Sequence, residues 1–195
     1  MLSYEESLKI LKETNALLEG HFILSSGLHS TEYIQCAKLL SQPKKAEIIC
    51  ASLCKKIKDN FNKINIILSP AIGGIVVGYE VGRQLGIQTI FAERIESKLQ
   101  LRRGFKIPKN SNVLIVEDVI TTGRSAINCA EIVEENNSKT VGFACIIDRS
   151  NTNVLIKDKI ISQIKLNIET FKGDELPTEL KKIQPVKPGS RNLYK

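Results

Sequence analysis

The sequence predicts an α/β fold built on a doubly wound, mainly parallel sheet with helices on both faces. Two observations carry this expectation. Short apolar runs alternate through the middle of the chain with segments of helical period. One of these runs, Val113-Leu114-Ile115-Val116, is apolar without a break, as expected of a strand buried on both faces of a parallel sheet. The 195 residues suffice for one domain with a core of its own, and 42% hydrophobic with 25% charged residues are globular values.

Taken in order, Ser3-Tyr4-Glu5-Glu6 reads as a capping box, in which Ser3 accepts from the backbone three residues on while Glu6 reaches back. Leu8, Leu11 and Leu18 follow at helical spacing, which predicts a first helix over residues 3–19. Ser25-Ser26-Gly27-Leu28-His29-Ser30 is loop-like, and Pro43 then opens a second helix with Ile49, Leu53 and Ile57 on its apolar side. Strands are predicted over 64–68, 88–93, 113–117 and 141–147, and helices over 74–85 and 125–135. About twenty residues separate Glu93 from Val113, among them Glu96, Lys98, Arg102 and Arg103. That is long for a connection and marks a functional loop or hairpin. From Lys172 onward, Pro177, Pro185, Pro188 and Gly189 predict an irregular tail.

Composition narrows the class. The longest apolar stretches, such as residues 64–68, fall far short of the ~20 residues of a membrane span, and Met1-Leu2-Ser3-Tyr4-Glu5-Glu6 lacks the basic start and apolar run of a secretory signal. No membrane association is expected, and the expected location is the cytoplasm. Cys36, Cys50, Cys54, Cys129 and Cys145 are odd in number and lack paired zinc-site spacings. Cys50 and Cys54 could hold half a metal site, but no Cys or His pair completes it, so buried packing thiols are expected. The net charge of +7 permits nucleic acid binding or attraction of a polyanionic small molecule. The lysines are scattered with no interleaved aromatic platform, which favours a generally basic, solvated surface and no nucleic acid partner.

The chemistry is concentrated in Val113-Leu114-Ile115-Val116-Glu117-Asp118-Val119-Ile120-Thr121-Thr122-Gly123-Arg124-Ser125. An apolar strand delivers two adjacent acids to the carboxyl end of a sheet, where ligands of open α/β folds bind, and a Thr/Gly/Ser turn then opens a helix. Backbone N–H groups and hydroxyls of 121–125 can cradle a phosphate at the positive end of that helix. The spacing is neither that of a Walker loop nor that of a dinucleotide-binding glycine fingerprint. Two carboxylates at a buried strand end need partners, and ribose hydroxyls or magnesium supply them better than a purely structural role.

This segment resembles the phosphoribosyl diphosphate signature of type I phosphoribosyltransferases, and the rest of the chain is similar to the orotate-specific members of that family. The resemblance implies the type I phosphoribosyltransferase sheet with a small N-terminal hood. The hood would take residues 1–40 or so plus the C-terminal segment, and the core residues 43–150 or so, within a single domain over 1–195. It further implies transfer of a phosphoribosyl group from 5-phosphoribosyl 1-diphosphate to orotate, with Mg2+ as cofactor held mainly through the substrate. Glu117 and Asp118 would bind ribose hydroxyls, and Val119, Ile120, Thr121, Thr122, Gly123, Arg124 and Ser125 would surround the 5-phosphate. Pro70-Ala71-Ile72-Gly73-Gly74 is similar to the family loop that receives the pyrophosphate, with Ile72 and Gly73 at its centre, though a plain strand-to-helix turn reads the same way.

Gly20-His21-Phe22-Ile23-Leu24-Ser25-Ser26-Gly27-Leu28-His29-Ser30 looks like the substrate hood, with Tyr33 and Thr121 at orotate. Asp148-Arg149 matches the pair whose arginine contacts the orotate carboxylate, to which a guanidinium can make two parallel hydrogen bonds. Leu101-Arg102-Arg103-Gly104-Phe105 and Val186-Lys187-Pro188-Gly189-Ser190-Arg191 look like one bacterial branch of the family.

The departures are specific. Ser25 and Gly73 stand where many members carry lysines, and the catalytic loop is short and has no histidine. Arg94, directly after a strand, carries over as a catalytic cation; Lys98, Arg102 and Arg103 are either further catalytic cations or a solvated charged hairpin. Asp118 is also a candidate to handle a proton. His21 and His29 pair with no nucleophile and are expected to build the hood. Because the family loop reaches a neighbouring subunit, a homodimer is expected. The rival readings are a phosphoribosyltransferase for another base and a non-catalytic regulator that senses phosphoribosyl diphosphate.

Overall fold

The computed structural model describes residues 1–24, 26–150 and 152–188. Ser25 and the Gly189-Ser190-Arg191 part of the C-terminal motif therefore lie outside the described residues. In chain order the elements are α1 (Tyr4–Glu13), β1 (Leu17–Ile23), β2 (His29–Ile34), α2 (Cys36–Leu40), α3 (Pro43–Asn60), β3 (Ile66–Pro70), α4 (Gly73–Leu85), β4 (Gln88–Ile95) and β5 (Lys98–Leu101). There follow β6 (Asn112–Ile120), α5 (Arg124–Glu135), β7 (Lys139–Asp148), β8 (Ile160–Lys165), β9 (Thr170–Phe171) and α6 (Thr178–Lys181).

The central sheet runs β5-β4-β3-β6-β7-β8, with every pairing parallel except the β4–β5 hairpin. Counted along the chain, its parallel strands stand in the order 2-1-3-4-5. In doubly wound folds of this order the strand direction of winding reverses between the first and third strands, and ligands bind at their carboxyl ends. Here those ends are Pro70 of β3 and Ile120 of β6.

Alternate residues of each strand feed two cores, one on each face. Ile67, Leu114, Val116, Ala144 and Ile146 pack with Leu53 and Ile57 of α3 and Val77 and Val81 of α4. Ile66, Leu68, Val113, Ile115 and Phe143 pack with Ala126, Cys129, Ile132 and Val133 of α5. The unbroken apolar run of β6 thus reflects burial on both sides. All five cysteines are buried and free, and burial raises their thiol proton affinity, to about 12 for Cys50 and about 11 for Cys54.

The first helix is shorter than its sequence suggests. Its capping box forms, with Ser3 Oγ accepting from Glu6 N at 3.1 Å and Ser3 N donating to Glu6 Oε2 at 2.7 Å. It stops at Thr14, however, because Asn15 takes the left-handed conformation at φ 54°. Residues 17–23, whose start continued the helical apolar spacing, instead form β1 of a hairpin with β2. The sheet also extends past residue 150, since β8 pairs with β7. The stretch from Lys172 is not wholly irregular: α6 forms, and Val186 exchanges backbone hydrogen bonds with His21 and Ile23 of β1 at 2.8 Å each.

Hairpin β1–β2, β9 and the segment around Val186 together make a small second layer. His21 is buried in it, its Nδ1 2.8 Å from the Ile183 carbonyl and its Nε2 2.6 Å from His29 Nδ1. The imidazoles tie hairpin to tail. Among the described residues no helix is long and apolar enough to cross a membrane.

Candidate active site

The carboxyl end of β6 presents its two acids to opposite sides, as successive strand residues must. Glu117 lies toward α5, where its charge is felt by Cys129, while Asp118 lies toward Cys36 and Gly73. Glu117 is buried, and desolvation first, then the Asp118 charge, push its carboxyl up to about 8. It is largely protonated at neutral pH and can donate as well as accept. Burial also raises Asp118, opposed by the backbone N–H groups of Val119 and of Asp118 itself, which favour its ionised form.

Val119 and Ile120 finish the strand, and Thr121 and Thr122 are exposed in the turn that follows. Gly123 has φ 75°, a conformation that L side chains rarely adopt, and a β-carbon there would also sit 2.8 Å from Ile156. Leu155 N donates to the Thr122 carbonyl at 2.9 Å, so residues 154–156 brace the turn from behind. Helix α5 begins at Arg124 with no side-chain cap and no acid in its first turn. Arg124 N donates weakly to Thr122 Oγ1 at 3.4 Å, and the first-turn N–H groups, beside the hydroxyls of Thr121, Thr122 and Ser125, can form a receptacle for an anion.

Opposite this turn, β3 ends in Pro70 and α4 begins at Gly73, after a cis Ala71–Ile72 peptide bond. Ile72 is exposed at the mouth. A β-carbon on Gly73 would lie 2.5 Å from Asp118 Oδ2 and 2.8 Å from its Oδ1. Glycine at this position is what lets the two loops meet.

Arg149 follows β7 and is held by its backbone N–H, which donates to the Ile120 carbonyl at 2.8 Å. Its Nε is buried with no hydrogen-bond partner among the described residues. Burial lowers the guanidinium's proton affinity, and Glu32 of the hood strand β2 counters this. Asp148 stabilises the turn by accepting from Ser150 N at 2.8 Å, with Lys165 Nζ 3.6 Å from its other oxygen. Tyr33 is half-buried in β2, 5.7 Å from the Phe22 ring, and its hydroxyl donates to Gln35 Oε1 at 2.9 Å.

The connection after β4 is a hairpin. Its cations differ: Lys98 and Arg102 are exposed, Arg94 Nη1 donates to the Ser97 carbonyl, and Arg103 is paired with Glu93. Among the described residues no three of His, Cys, Asp and Glu gather into a metal cluster. Glu117 and Asp118 are two carboxylates, too few for a full protein-built metal site, which fits a magnesium ion coordinated chiefly by substrate oxygens.

A strand with two acids, an uncapped helix start and a glycine loop facing them therefore share one edge of the sheet. The family model for the phosphoribosyl transferase domain matches residues 37–181. The chain belongs to the phosphoribosyl transferase domain family. An orotate phosphoribosyltransferase of Caldicellulosiruptor saccharolyticus is 46% identical over 192 residues, covering 98% of this chain and 100% of the relative. One from Caldicellulosiruptor bescii is 47% identical over 184 residues, covering 94% and 96%. The crystal structure of orotate phosphoribosyltransferase from Aeropyrum pernix superposes with a TM-score of 0.71 at 23% identity, covering 81% of this chain and 92% of that one, a likeness of fold.

For a member of this family, three parts of the site could not be seen in the sequence. Glu93 partners Arg103, Glu32 faces Arg149, and residues 154–156 support the turn at Gly123. Each depends on a contact between distant residues.

Proposed function

We propose that the chain is an orotate phosphoribosyltransferase, which transfers the phosphoribosyl group of 5-phosphoribosyl 1-diphosphate to orotate and yields orotidine 5′-monophosphate and diphosphate in pyrimidine synthesis. The observation that carries the choice of base is Arg149. A half-buried guanidinium whose buried Nε has no partner among the described residues suits a base that bears a carboxylate, and the near full-length relatives carry the same activity in their names.

In this reading Thr121, Thr122, Gly123, Arg124 and Ser125 hold the 5-phosphate, with Val119 and Ile120 shaping the strand end. Glu117 and Asp118 hold the ribose hydroxyls, and Ile72 and Gly73 bring backbone N–H groups to the diphosphate. Arg149, Tyr33 and Thr121 take orotate. Arg94, Lys98 and Arg102 offer cations toward the leaving diphosphate. Magnesium, when bound through the substrate, neutralises charge on that leaving group. The remaining work is positional and electrostatic: fixed donors hold the sugar while its C1 bond to diphosphate breaks and the ring nitrogen attacks.

Asp118 is also placed to accept a proton, and Asp118→Asn with an unchanged pH profile would remove that role. The hairpin closes over the site and excludes water, whose attack is the competing reaction. We also infer a cytoplasmic homodimer. Ile72, Val76 and Tyr79 support it, forming one exposed apolar stripe at the start of α4, at 85%, 47% and 65% exposure. Sedimentation of wild type against Tyr79→Lys tests the dimer.

The activity itself is tested by incubating the purified chain with orotate, 5-phosphoribosyl 1-diphosphate and magnesium. One diphosphate released for each orotate consumed is the expected result. Diphosphate release at the same rate without orotate would overturn the assignment.

A further inference from the structure

The base of the β4–β5 hairpin, with the turn that follows β5, is held by a contact that no motif announces. Arg103 Nε donates to Glu93 Oε2 at 3.0 Å and its Nη2 to Oε1 at 2.9 Å, a two-pronged match of guanidinium to carboxylate. Its guanidinium carbon lies 5.9 Å from the centre of the Phe91 ring, against which Phe105 packs edge-on at 5.1 Å. Residues 91, 93, 103 and 105 thus form one cluster across the base of the hairpin.

The backbone between them needs such a clamp. Arg103 and the following Gly104 both have positive φ, 56° and 76°, and Phe105 N donates to the Arg102 carbonyl at 2.9 Å, the pattern of a type I′ turn. Glycine accepts that conformation freely, whereas an arginine holds it only where its surroundings impose it. An exposed ion pair by itself would do little. This one is bidentate, stacked on a ring and built on a carboxylate side chain that is only 20% exposed.

We propose that Glu93 and Arg103 are a positioning pair: they fix the base of the hairpin and the turn after β5 so that Lys98 and Arg102, both exposed, and Arg94 at the end of β4 stand ready for the diphosphate, while Arg103 itself does not touch substrate. The inference rests on the phosphoribosyl transfer reading of the site and divides the hairpin cations by role. If Arg103 were a diphosphate ligand it would have to surrender two charge-assisted hydrogen bonds and the Phe91 ring to reach it.

Glu93→Gln, Arg103→Gln and the double variant test the pair by steady-state kinetics and by amide hydrogen exchange of residues 96–105. Each single change is expected to lower kcat by about tenfold through misplacement of the hairpin, with the KM for orotate unchanged. The double variant should be no worse than either single, and exchange in the hairpin should quicken in all three. An Arg103→Gln loss far larger than that of Glu93→Gln, losses that multiply in the double variant, or hairpin exchange unchanged by Glu93→Gln would each overturn the pairing role. Exchange needs no turnover, so an inactive wild-type protein would sink the substrate assignment and leave the pair to be judged on exchange alone.

Discussion

Gly73 and Asp118 are packed so closely that a single added methyl group on the glycine would overlap the carboxylate, at 2.5 Å from Oδ2. The loop at Gly73, proposed to receive the diphosphate, and Asp118, proposed to hold the ribose, are therefore one steric unit, although 45 positions separate them (118 − 73). Any side chain at this position could be accommodated only by moving Asp118.

Gly73→Ala should accordingly displace Asp118 and lower kcat/KM by about a hundredfold, the scale of a 1 Å misplacement, while the fold persists. Steady-state kinetics beside a thermal melt checks both halves. Retained activity would show that Asp118 can move without cost.

Arg149→Ala removes the guanidinium proposed to meet the orotate carboxylate. Loss of charge-assisted hydrogen bonds costs about 2 kcal/mol, so the KM for orotate should rise roughly thirtyfold, with little change for 5-phosphoribosyl 1-diphosphate. Equal losses for both substrates would move Arg149 from specificity to general support of the site.

Glu117 makes stability depend on pH. Its carboxyl titrates near 8 in the folded chain against an ordinary 4.5, so between these values the folded state holds a proton that the unfolded state has released. Stability from this group is complete below about pH 4.5 and is lost as pH rises through about 8. Glu117→Gln, which cannot ionise, should flatten the fall in melting temperature over that window. A slope identical to wild type would show that Glu117 is not the group responsible.

Gly142 in β7 is a packing counterpart, because a β-carbon there would lie 2.2 Å from Phe61 Cε1. Gly142→Ala should cost about 2 kcal/mol in unfolding free energy through overpacking, and adding Phe61→Leu should return part of it. Chemical denaturation of the two variants measures this directly.

Contiguous features were legible in the sequence. The β6 strand, its two acids and the turn at 121–125 lie within 14 consecutive residues, and local pattern determines all of them. The structure carries that segment to the edge where β3 and β6 end. The first helix was overread because Leu18 continues the spacing of Leu8 and Leu11, and only the left-handed Asn15 ends it. Strand β8 escaped notice because it is an edge strand, IISQIK, with polar residues among its isoleucines and no apolar run to announce it. The approach of Gly73 to Asp118 and the Glu93–Arg103 pair are tertiary facts, fixed by loop packing and hairpin register. No local propensity encodes them.

The central claim is the identity of the base, and initial rates with orotate, uracil, adenine and hypoxanthine, each with 5-phosphoribosyl 1-diphosphate and magnesium, test it most directly. The account predicts turnover with orotate alone and a raised KM for orotate in Arg149→Ala; turnover with any of the other three bases at a rate matching orotate would contradict it.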